Sequence, residues 1–419
     1  MRRNKRGNPS AQANAAADRP LAVGERRRAE PRARVYIEEI SVPFSYPVYF
    51  TRRALSADNP VLADVAKRPG EAPARVLAYL DDGLVAAHPY LPDALPAYAR
   101  RHADAIDLVA PPRVLPGGEK AKDGWSVAGR VLDDIAAHRL CRHSAVVVAG
   151  GGAFLDAVGL GASLVHRGVR LIRMPSTTLS QDDGGVGVKT GINLGGVKNL
   201  VGTFAPPFAV VNDLDFLATL PREVMLDGVA EAFKVAIIKD PDFFAFLCEA
   251  AERLRDGEPA ALEHAVRRSA ELHLAHIREG RDPFEMGDAR PLDFGHWAAH
   301  RLEALSGYAL RHGQAVAVGI ALDAYYAWRT GRLARGELER ILEAFARAGL
   351  PTWHPLLAAR DEAGALRVLE GVEQFREHLG GRLSVTLPQG IGHRVEVHAI
   401  EPSLVGEGIR FLQERQQRR

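Results

Sequence analysis

The 419-residue chain has little cysteine and no long apolar stretch. Its two cysteines, Cys141 and Cys248, are far apart and form no CxxC pair, which excludes a disulfide framework and a cysteine-based zinc module. No apolar run approaches the length of a membrane span, and the amino terminus has no apolar segment typical of an export signal. We therefore expect a cytoplasmic protein without a membrane span.

The chain also has almost no net charge. Its 54 basic and 52 acidic residues give a formal charge of +2 at pH 7. A protein that binds the phosphate backbone of nucleic acid needs a clear positive excess over one surface. The composition therefore argues against nucleic acid as a partner.

The sequence predicts a tail followed by two domains. Residues 1–33 are rich in Arg, Ala, Pro, Asn and Gly without apolar periodicity, which predicts a flexible basic tail. Contact with acidic lipid or RNA is the alternative to a simply solvated extension. The length suggests two domains, which we place at 34–220 and 221–419.

The first domain alternates short apolar strands with amphipathic helices. Strands are expected at 35–37, 44–50, 75–80, 106–109 and 145–149, and helices at 84–102 and 125–138. Such units give a parallel sheet that binds ligands at the carboxyl ends of its strands. The second domain has helical patterns at 260–278, 300–305, 315–329 and 336–348. The predicted fold class is α/β, a Rossmann-like domain followed by a mainly α-helical one.

A glycine triplet follows the most apolar predicted strand. Gly150, Gly151 and Gly152 open the next helix, an arrangement in which backbone amides approach a pyrophosphate. Asp81 or Asp82, at the end of an earlier strand, could accept a hydrogen bond from a ribose hydroxyl. The pattern predicts a dinucleotide site, with ordinary tight turns as the alternative for both segments.

Histidines collect in one part of the second domain. His296 and His300 are one helical turn apart, His312 follows after a short loop, and Glu231 lies upstream. Residues at i and i+4 share a helix face, and a carboxylate with two imidazoles suits zinc with one position open for substrate. We interpret the group as a site for a divalent cation, with ordinary polar residues as the alternative.

Between these two motifs, residues 167–199 are rich in Gly, Lys, Asn, Thr and Asp without a helical or strand period. Such residues pack poorly but suit a phosphate-lined pocket. By composition alone, a glycine-rich surface loop is the better interpretation.

Taken in order, the motifs resemble the sugar phosphate cyclase superfamily, whose best-known member is 3-dehydroquinate synthase. The resemblance covers about residues 74–391. The matching segments are 150–156, 167–168, 175–183, 189–191, 198–199, 220–234, 294–300 and 312–317.

The resemblance implies NAD and a divalent metal, zinc or cobalt, as cofactors, a sugar phosphate as substrate and a homodimer as the assembly. The implied metal ligands are Glu231, His296 and His312. The implied NAD contacts are Gly150, Gly151, Gly152, Asp156, Thr177, Thr178, Glu119, Lys122 and Lys198. The implied substrate and phosphate contacts are Asp183, Lys189, Asn199, Lys234, Asp293 and His300, with Arg167 lent to the partner subunit.

The implied reaction oxidises one sugar carbinol transiently, eliminates phosphate, returns the hydride and closes a ring by aldol addition. Preorganised cations stabilise the departing phosphate better than water does. The enzyme would be a carbon–oxygen lyase of secondary metabolism.

Departures from the family pattern concern the substrate. 3-Dehydroquinate synthases have a lysine and an arginine associated with the substrate carboxylate. Here we place Ala275 at the lysine position, Arg290 is displaced by one residue, and Asp293 replaces an asparagine. Because an acidic group without a lysine disfavours a carboxylate, we predict a neutral ketose phosphate such as sedoheptulose 7-phosphate. His393 replaces a further expected lysine, which leaves the strength of phosphate binding open.

Three alternatives stay open at this point. They are 3-dehydroquinate synthase proper, an iron-type alcohol or glycerol dehydrogenase, and a noncatalytic sensor of nucleotide or sugar phosphate. Lys189, Lys198 and Lys234 argue against the dehydrogenase, because a simple alcohol needs no cationic pocket.

Overall fold

The computed structural model describes residues 35–67, 72–280, 284, 291–378 and 381–418. The predicted tail at 1–33 and the displaced Arg290 lie outside these residues. The chain divides into two compact units, Met1–Pro43 and Phe44–Arg419.

The described part of the first unit contains no strand, so the prediction at 35–37 is wrong. Val35, Tyr36 and Ile37 are β-prone residues, but their side chains are exposed. Strand propensity reflects packing against neighbouring strands, and a segment without such neighbours does not form a strand.

Seven parallel strands form the main sheet, in the order β1-β9-β6-β5-β2-β3, with β4 also beside β2. Two antiparallel hairpins, β7–β8 and β10–β11, lie outside it. The strands are β1 (Val48–Thr51), β2 (Ala74–Asp81), β3 (Ile106–Leu108), β4 (Arg113–Leu115), β5 (Ala145–Gly150), β6 (Arg170–Pro175), β7 (Lys189–Leu194), β8 (Val197–Phe204), β9 (Ala209–Asp213), β10 (Val385–Pro388) and β11 (Arg394–Val397).

The central strand β5 is buried along its whole length. Ala145, Val147 and Ala149 enter the hydrophobic core on one face of the sheet, whereas Val146 and Val148 enter the core on the other. Successive side chains of a strand point to opposite faces, so a strand covered on both faces is continuously apolar. Helices therefore cover both faces of this sheet.

The helices are α1 (Val61–Ala66), α2 (Asp82–Ala87), α3 (Leu91–Arg101), α4 (Ser126–Ala137), α5 (Gly152–Leu164), α6 (Arg222–Lys239), α7 (Pro241–Glu249), α8 (Ala251–Arg255), α9 (Pro259–Glu279), α10 (His296–Leu305), α11 (His312–Arg329), α12 (Arg335–Ala348), α13 (Glu370–His378) and α14 (Pro402–Gln417). The helix predicted at 84–102 is two helices, since α2 ends at Ala87 and α3 begins at Leu91. The other predicted helices are present within a few residues of their expected bounds. No helix within the described ranges is long and apolar enough to cross a membrane.

Helix α6 is the centre of the helical part. It is buried almost all round and packs against α9 and α11, and α11 packs in turn against α10. A helix without an exposed face belongs in the middle of a bundle. The predicted fold class is confirmed, a parallel sheet with helices followed by a mainly helical part. The proposed domain boundary at 220 stays a prediction; the main sheet ends at Asp213 and α6 begins at Arg222.

Candidate active site

A cleft of about 480 Å³ lies where the carboxyl ends of the sheet strands meet the helical part. The glycine turn after β5 and the residues after β2 and β6 form one wall, and α6, α10 and the start of α11 form the other. The residues in its lining that carry the argument are Asp81, Gly151, Gly152, Thr177, Glu303 and His312.

The glycine triplet has two different structural roles. A Cβ atom on Gly150 would lie 2.6 Å from the Phe154 ring and 2.8 Å from Cβ of Asp81, so this position has no room for a side chain. A Cβ atom on Gly152 would meet nothing within 4 Å, and Gly152 is the first residue of α5 at the edge of the cleft. The turn therefore leaves a bare helix N-terminus that fits the phosphates of a dinucleotide.

The two predicted ribose acceptors help to build the wall beside this turn. Asp81 caps α2 and accepts hydrogen bonds from the amides of Gly83 at 2.8 Å and Leu84 at 3.1 Å. Asp82 accepts from the Gly117 amide at 2.8 Å. Of the two, Asp81 lines the cleft.

The remaining predicted nucleotide contacts are divided between the cleft and the protein interior. Glu119 and Thr177 line the cleft. The ammonium group of Lys122 is buried and lies 2.7 Å from Asp156, so these two predicted contacts are paired with each other. Thr178 is fully buried, and its hydroxyl donates to the Met225 carbonyl at 2.9 Å at the start of α6.

The three predicted metal ligands are brought together from three helices. Nε2 of His312 lies 3.3 Å and Nε2 of His296 lies 3.8 Å from Oε1 of Glu231. One ligand atom from each residue lies within 4.8 Å of the others. A tetrahedral ion with bonds of about 2.0–2.1 Å separates its ligands by about 3.4 Å, so this arrangement needs only a small contraction to hold one.

Hydrogen bonds direct the imidazole rings toward this point. Nδ1 of His296 lies 3.1 Å from the Phe294 carbonyl, which can only accept, so Nδ1 carries the hydrogen and Nε2 is left for an ion. Burial lowers the pKa of His296 well below its ordinary value, helped by Lys234, which keeps the ring neutral. Neutral imidazole is the form that binds a metal.

A buried carboxyl group fixes the backbone on both sides of His296. Asp323 of α11 accepts from the Gly295 amide at 3.0 Å and from the Trp297 indole at 2.8 Å. Gly295 has a φ of 80°, a conformation that favours glycine. The direction in which His296 leaves the helix is therefore set from another helix.

His312 is held by an acidic residue that the sequence interpretation missed. Its Nδ1 lies 3.3 Å from Oε2 of Glu303, and Oε1 of Glu303 accepts from Lys198 at 2.8 Å. Lys198 was predicted to contact the nucleotide, but its ammonium group forms an ion pair with Glu303 and lies 3.9 Å from Glu119.

A second cluster adjoins the metal ligands. The ammonium group of Lys234 forms an ion pair with Glu231 and lies 3.3 Å from Oδ2 of Asp183. The second carboxylate oxygen of Asp183, Oδ1, lies 2.9 Å from Nδ1 of His273. Although burial opposes it, Lys234 and His273 hold the pKa of Asp183 well below its ordinary value. Asp293 is close enough to raise the pKa of Lys234 further. Three of the predicted substrate contacts therefore share one charged cluster.

The side chain that α9 directs into this cluster is His273, not Ala275. The sequence interpretation placed Ala275 at the position of the carboxylate-associated lysine, and that placement stays a prediction, whereas His273 is the α9 side chain that contacts Asp183. Residues two apart on a helix do not share a face, so a shift of two changes which side chain enters the site. An imidazole therefore stands beside Asp183.

The loop between Asp183 and Lys189 is organised by an arginine that the sequence interpretation also missed. Arg173 of β6 is fully buried and donates to the carbonyls of Gly187 and Lys189 at 2.8 Å each. It gives the glycine-rich segment a fixed shape. Lys189 is exposed at the start of β7, and Asn199 is exposed in β8, with a φ of 55°.

Of the two remaining predicted residues, His300 lies beside the site and Arg167 lies away from it. His300 is exposed, with its ring centre 5.3 Å from that of His296 and 6.2 Å from that of His312. Arg167 is exposed on the turn that follows α5, at the end opposite the glycine turn. Thirteen residues of helix separate the two ends, which is about 20 Å.

Two models of known protein families together match more than half of the chain. The model of the 3-dehydroquinate synthase N-terminal domain matches residues 113–227, and that of the C-terminal domain matches residues 228–369. The chain belongs to the 3-dehydroquinate synthase family.

Relatives within this family include more than one kind of sugar phosphate cyclase. A 2-epi-5-epi-valiolone synthase of Streptomyces albus is 36% identical over 294 residues, which cover 68% of this chain and 70% of that protein. A 3-dehydroquinate synthase of Paracoccus denitrificans is 34% identical over 339 residues, covering 80% and 88%.

A solved family structure matches the fold over most of the chain. The 2-epi-5-epi-valiolone synthase of Streptomyces hygroscopicus subsp. jinggangensis, with NAD+ and Zn2+ bound, has a TM-score of 0.80 and 30% identity, and the match covers 91% of this chain and 100% of that one. The predicted resemblance is confirmed, and the chain is a sugar phosphate cyclase of the carbon–oxygen lyase type.

Proposed function

We propose that this cyclase uses NAD and a divalent metal ion to convert a neutral ketose phosphate, such as sedoheptulose 7-phosphate, into a carbocycle. One observation carries the proposal: Glu231 belongs both to the group of residues that could hold a metal ion and, through Lys234, to the cluster around Asp183 and His273. A substrate that reaches the metal ion therefore also reaches this cluster.

The residues on the two walls fit the two cofactors. Glu231, His296 and His312 would hold zinc or cobalt, and the amides at Gly151 and Gly152 would receive the phosphates of NAD. When bound, NAD takes and returns a hydride and the metal ion polarises the carbon–oxygen bond that is oxidised.

The protein's own groups orient the sugar. Lys234 is buried and charged, because Asp183 and Glu231 raise its pKa against the effect of burial. It donates hydrogen bonds, while ionised Asp183 accepts them from sugar hydroxyls. Both groups are already held in place by each other, so they need no reorganisation when charge develops on the substrate.

The same charges disfavour an acidic substrate. Asp183, Glu231 and Asp293 face one buried cation, Lys234, which is already engaged by two of them. Among the residues that the structure describes, a substrate carboxylate placed here would add a negative charge beside two carboxylates that already share Lys234. A hydroxyl or hydroxymethyl group has no such cost, which supports a neutral ketose.

The leaving phosphate would be received at the exposed margin. Lys189, Asn199 and His300 provide donors there, and Arg167 would come from the partner subunit of a homodimer. These assignments rest on the family motifs.

Release of inorganic phosphate tests the substrate. The protein with NAD+ and Co2+ is given sedoheptulose 7-phosphate or, at equal concentration, the carboxylated heptulosonate phosphate used by 3-dehydroquinate synthases. We expect a clearly higher kcat/KM for the neutral sugar. Equal or better turnover of the acid would contradict the argument from Asp183, Glu231 and Asp293.

The same assay separates the other functions. A cyclase releases phosphate without accumulating NADH, whereas an alcohol dehydrogenase accumulates NADH with polyols. Glu231→Ala should abolish phosphate release, and mass spectrometry of the native product should show loss of phosphate without net oxidation. A sensor would bind the sugar phosphate without turning it over and would keep binding it without the metal.

A further inference from the structure

We propose that Glu303 is a positioning residue of the metal centre and that Lys198, on the β7–β8 hairpin, holds it in that role. The inference rests on the proposed metal-dependent function and adds two residues to it. It starts from a buried carboxylate, 3% exposed, whose two oxygens have different partners on different parts of the fold.

The first oxygen determines which nitrogen of His312 can bind an ion. Oε2 of Glu303 lies 3.3 Å from Nδ1 of His312, and an ionised carboxylate can only accept. Nδ1 therefore carries a hydrogen, and Nε2, which lies 3.3 Å from Oε1 of Glu231, is the nitrogen left for the ion. Without this acceptor the ring could rotate or adopt the other tautomer.

The second oxygen is occupied by Lys198. Its ammonium group lies 2.8 Å from Oε1 of Glu303 and 3.9 Å from Glu119, which lines the nucleotide side of the cleft. Lys198 belongs to the β7–β8 hairpin, whereas Glu303 belongs to α10. A buried carboxylate without a cation is costly, so the hairpin supplies a charge that the helical part requires.

Lys198 also keeps Glu303 from acting as a ligand itself. His300, Glu303 and His312 can each present a ligand atom within 4.8 Å of the others, so a second group of potential ligands overlaps the first at His312. With Lys198 on one oxygen and His312 on the other, Glu303 supports the first group instead of competing with it.

The test measures Co2+ binding to the full-length protein by competition with a chelating dye, the visible spectrum of bound Co2+ and the number of ions per chain. The key variant is Glu303→Gln, in which an NH2 donor replaces one of the two acceptor oxygens, so the side chain cannot accept from His312 and Lys198 at their two separate positions. We expect Co2+ affinity to fall roughly 10–100-fold, with a changed Co2+ spectrum, as for loss of other groups that orient metal-bound histidines.

A pair of substitutions at Lys198 separates charge from folding, because this side chain is partly exposed. Lys198→Met should weaken Co2+ binding in the same direction, and Lys198→Arg should restore it. Arg301→Ala is the matched control: Arg301 lies on α10, like Glu303, but pairs with Glu370 of α13 instead of His312, so its loss should leave Co2+ binding unchanged.

Native affinity and spectrum in both Glu303→Gln and Lys198→Met would overturn the inference while leaving the proposed function intact. Two ions per native chain, falling to one in Glu303→Gln, would also overturn it by making Glu303 a ligand. A native protein that binds no Co2+ would overturn the proposed function as well.

Discussion

Asp323 shows how a single buried side chain can control a reactive group that it does not touch. Its carboxyl group bonds to the residues before and after His296, and burial raises its pKa to about 7, against the effect of the two donors. Such a group makes stability depend on pH even though it is far from solvent.

Because of Asp323, the folded protein should lose stability as pH rises. In the unfolded chain Asp323 ionises at its ordinary pKa of 3.8, whereas in the folded protein it keeps its proton until about pH 7. The folded state therefore binds the extra proton between these values, and the free energy of unfolding falls as pH rises through this window and levels off above it.

We expect the native protein to lose up to about 4 kcal/mol more than Asp323→Asn between pH 4 and pH 7.5. Urea unfolding of both proteins at several pH values measures this difference, and the comparison cancels the groups that they share. Parallel curves would show that Asp323 is ionised throughout.

The grouping of Glu231, His296 and His312 could be predicted from sequence because their spacing carries the signal. His296, His312 and Glu231 lie within family motifs that keep their order along the chain. Glu303 could not be identified, since three residues after His300 it resembles an ordinary charge on an amphipathic helix. Asp323 could not be identified either, because it meets the metal site only through the packing of α11 on α10.

At the scale of elements, the turn between β5 and α5 combines packing and binding in three glycines. Gly150 lies against Phe154 and Asp81, while Gly152 faces open space in the cleft. The triplet was predicted as one motif, and only the structure assigns different tasks to its members.

Matched substitutions should separate these tasks. Gly150→Ala should destabilise the protein by about 1–3 kcal/mol, because the new methyl group overlaps neighbouring atoms. Gly152→Ala should leave stability unchanged or slightly higher, since alanine favours a helix, but should weaken NAD+ binding by occupying the space beside the phosphates.

Thermal unfolding and calorimetric titration with NAD+ distinguish the two variants. Native NAD+ affinity in Gly152→Ala would place the phosphates elsewhere, and native stability in Gly150→Ala would show that the turn can shift to accept a side chain.

Element prediction succeeded where burial enforced the pattern and failed where it did not. The buried strand β5 was placed to within one residue. The exposed residues at 35–37 had strand propensity without a partner, and the helix predicted at 84–102 is interrupted after Ala87.

At the scale of the whole molecule, the position of Arg167 supports the proposal that two subunits assemble. It lies on an exposed turn at the end of α5 away from the glycine triplet, and it is not in the described lining of the cleft. The homodimer that we propose, in which each subunit would complete the other's phosphate site, would account for this placement of a predicted site residue.

Mixed dimers test this arrangement. Arg167→Ala and Glu231→Ala should each be inactive alone. When both chains are produced together, half of the dimers are mixed, and each mixed dimer has one complete site, so activity should recover to about one quarter of native.

Activity no higher than that of the separate variants would contradict shared sites. Sedimentation of the native chain gives the independent control, since a monomer would rule out the arrangement.

The contact between Gly228 and Thr178 limits how closely the two walls of the cleft can approach each other. A Cβ atom on Gly228 would lie 2.5 Å from that of Thr178, so α6 and the end of the sheet touch there without an intervening side chain. Atoms packed this closely leave no room for either wall to move toward the other at this point. Glu231 follows one turn later on α6, so the same close approach helps to fix where this side chain stands relative to the wall that carries the glycine turn.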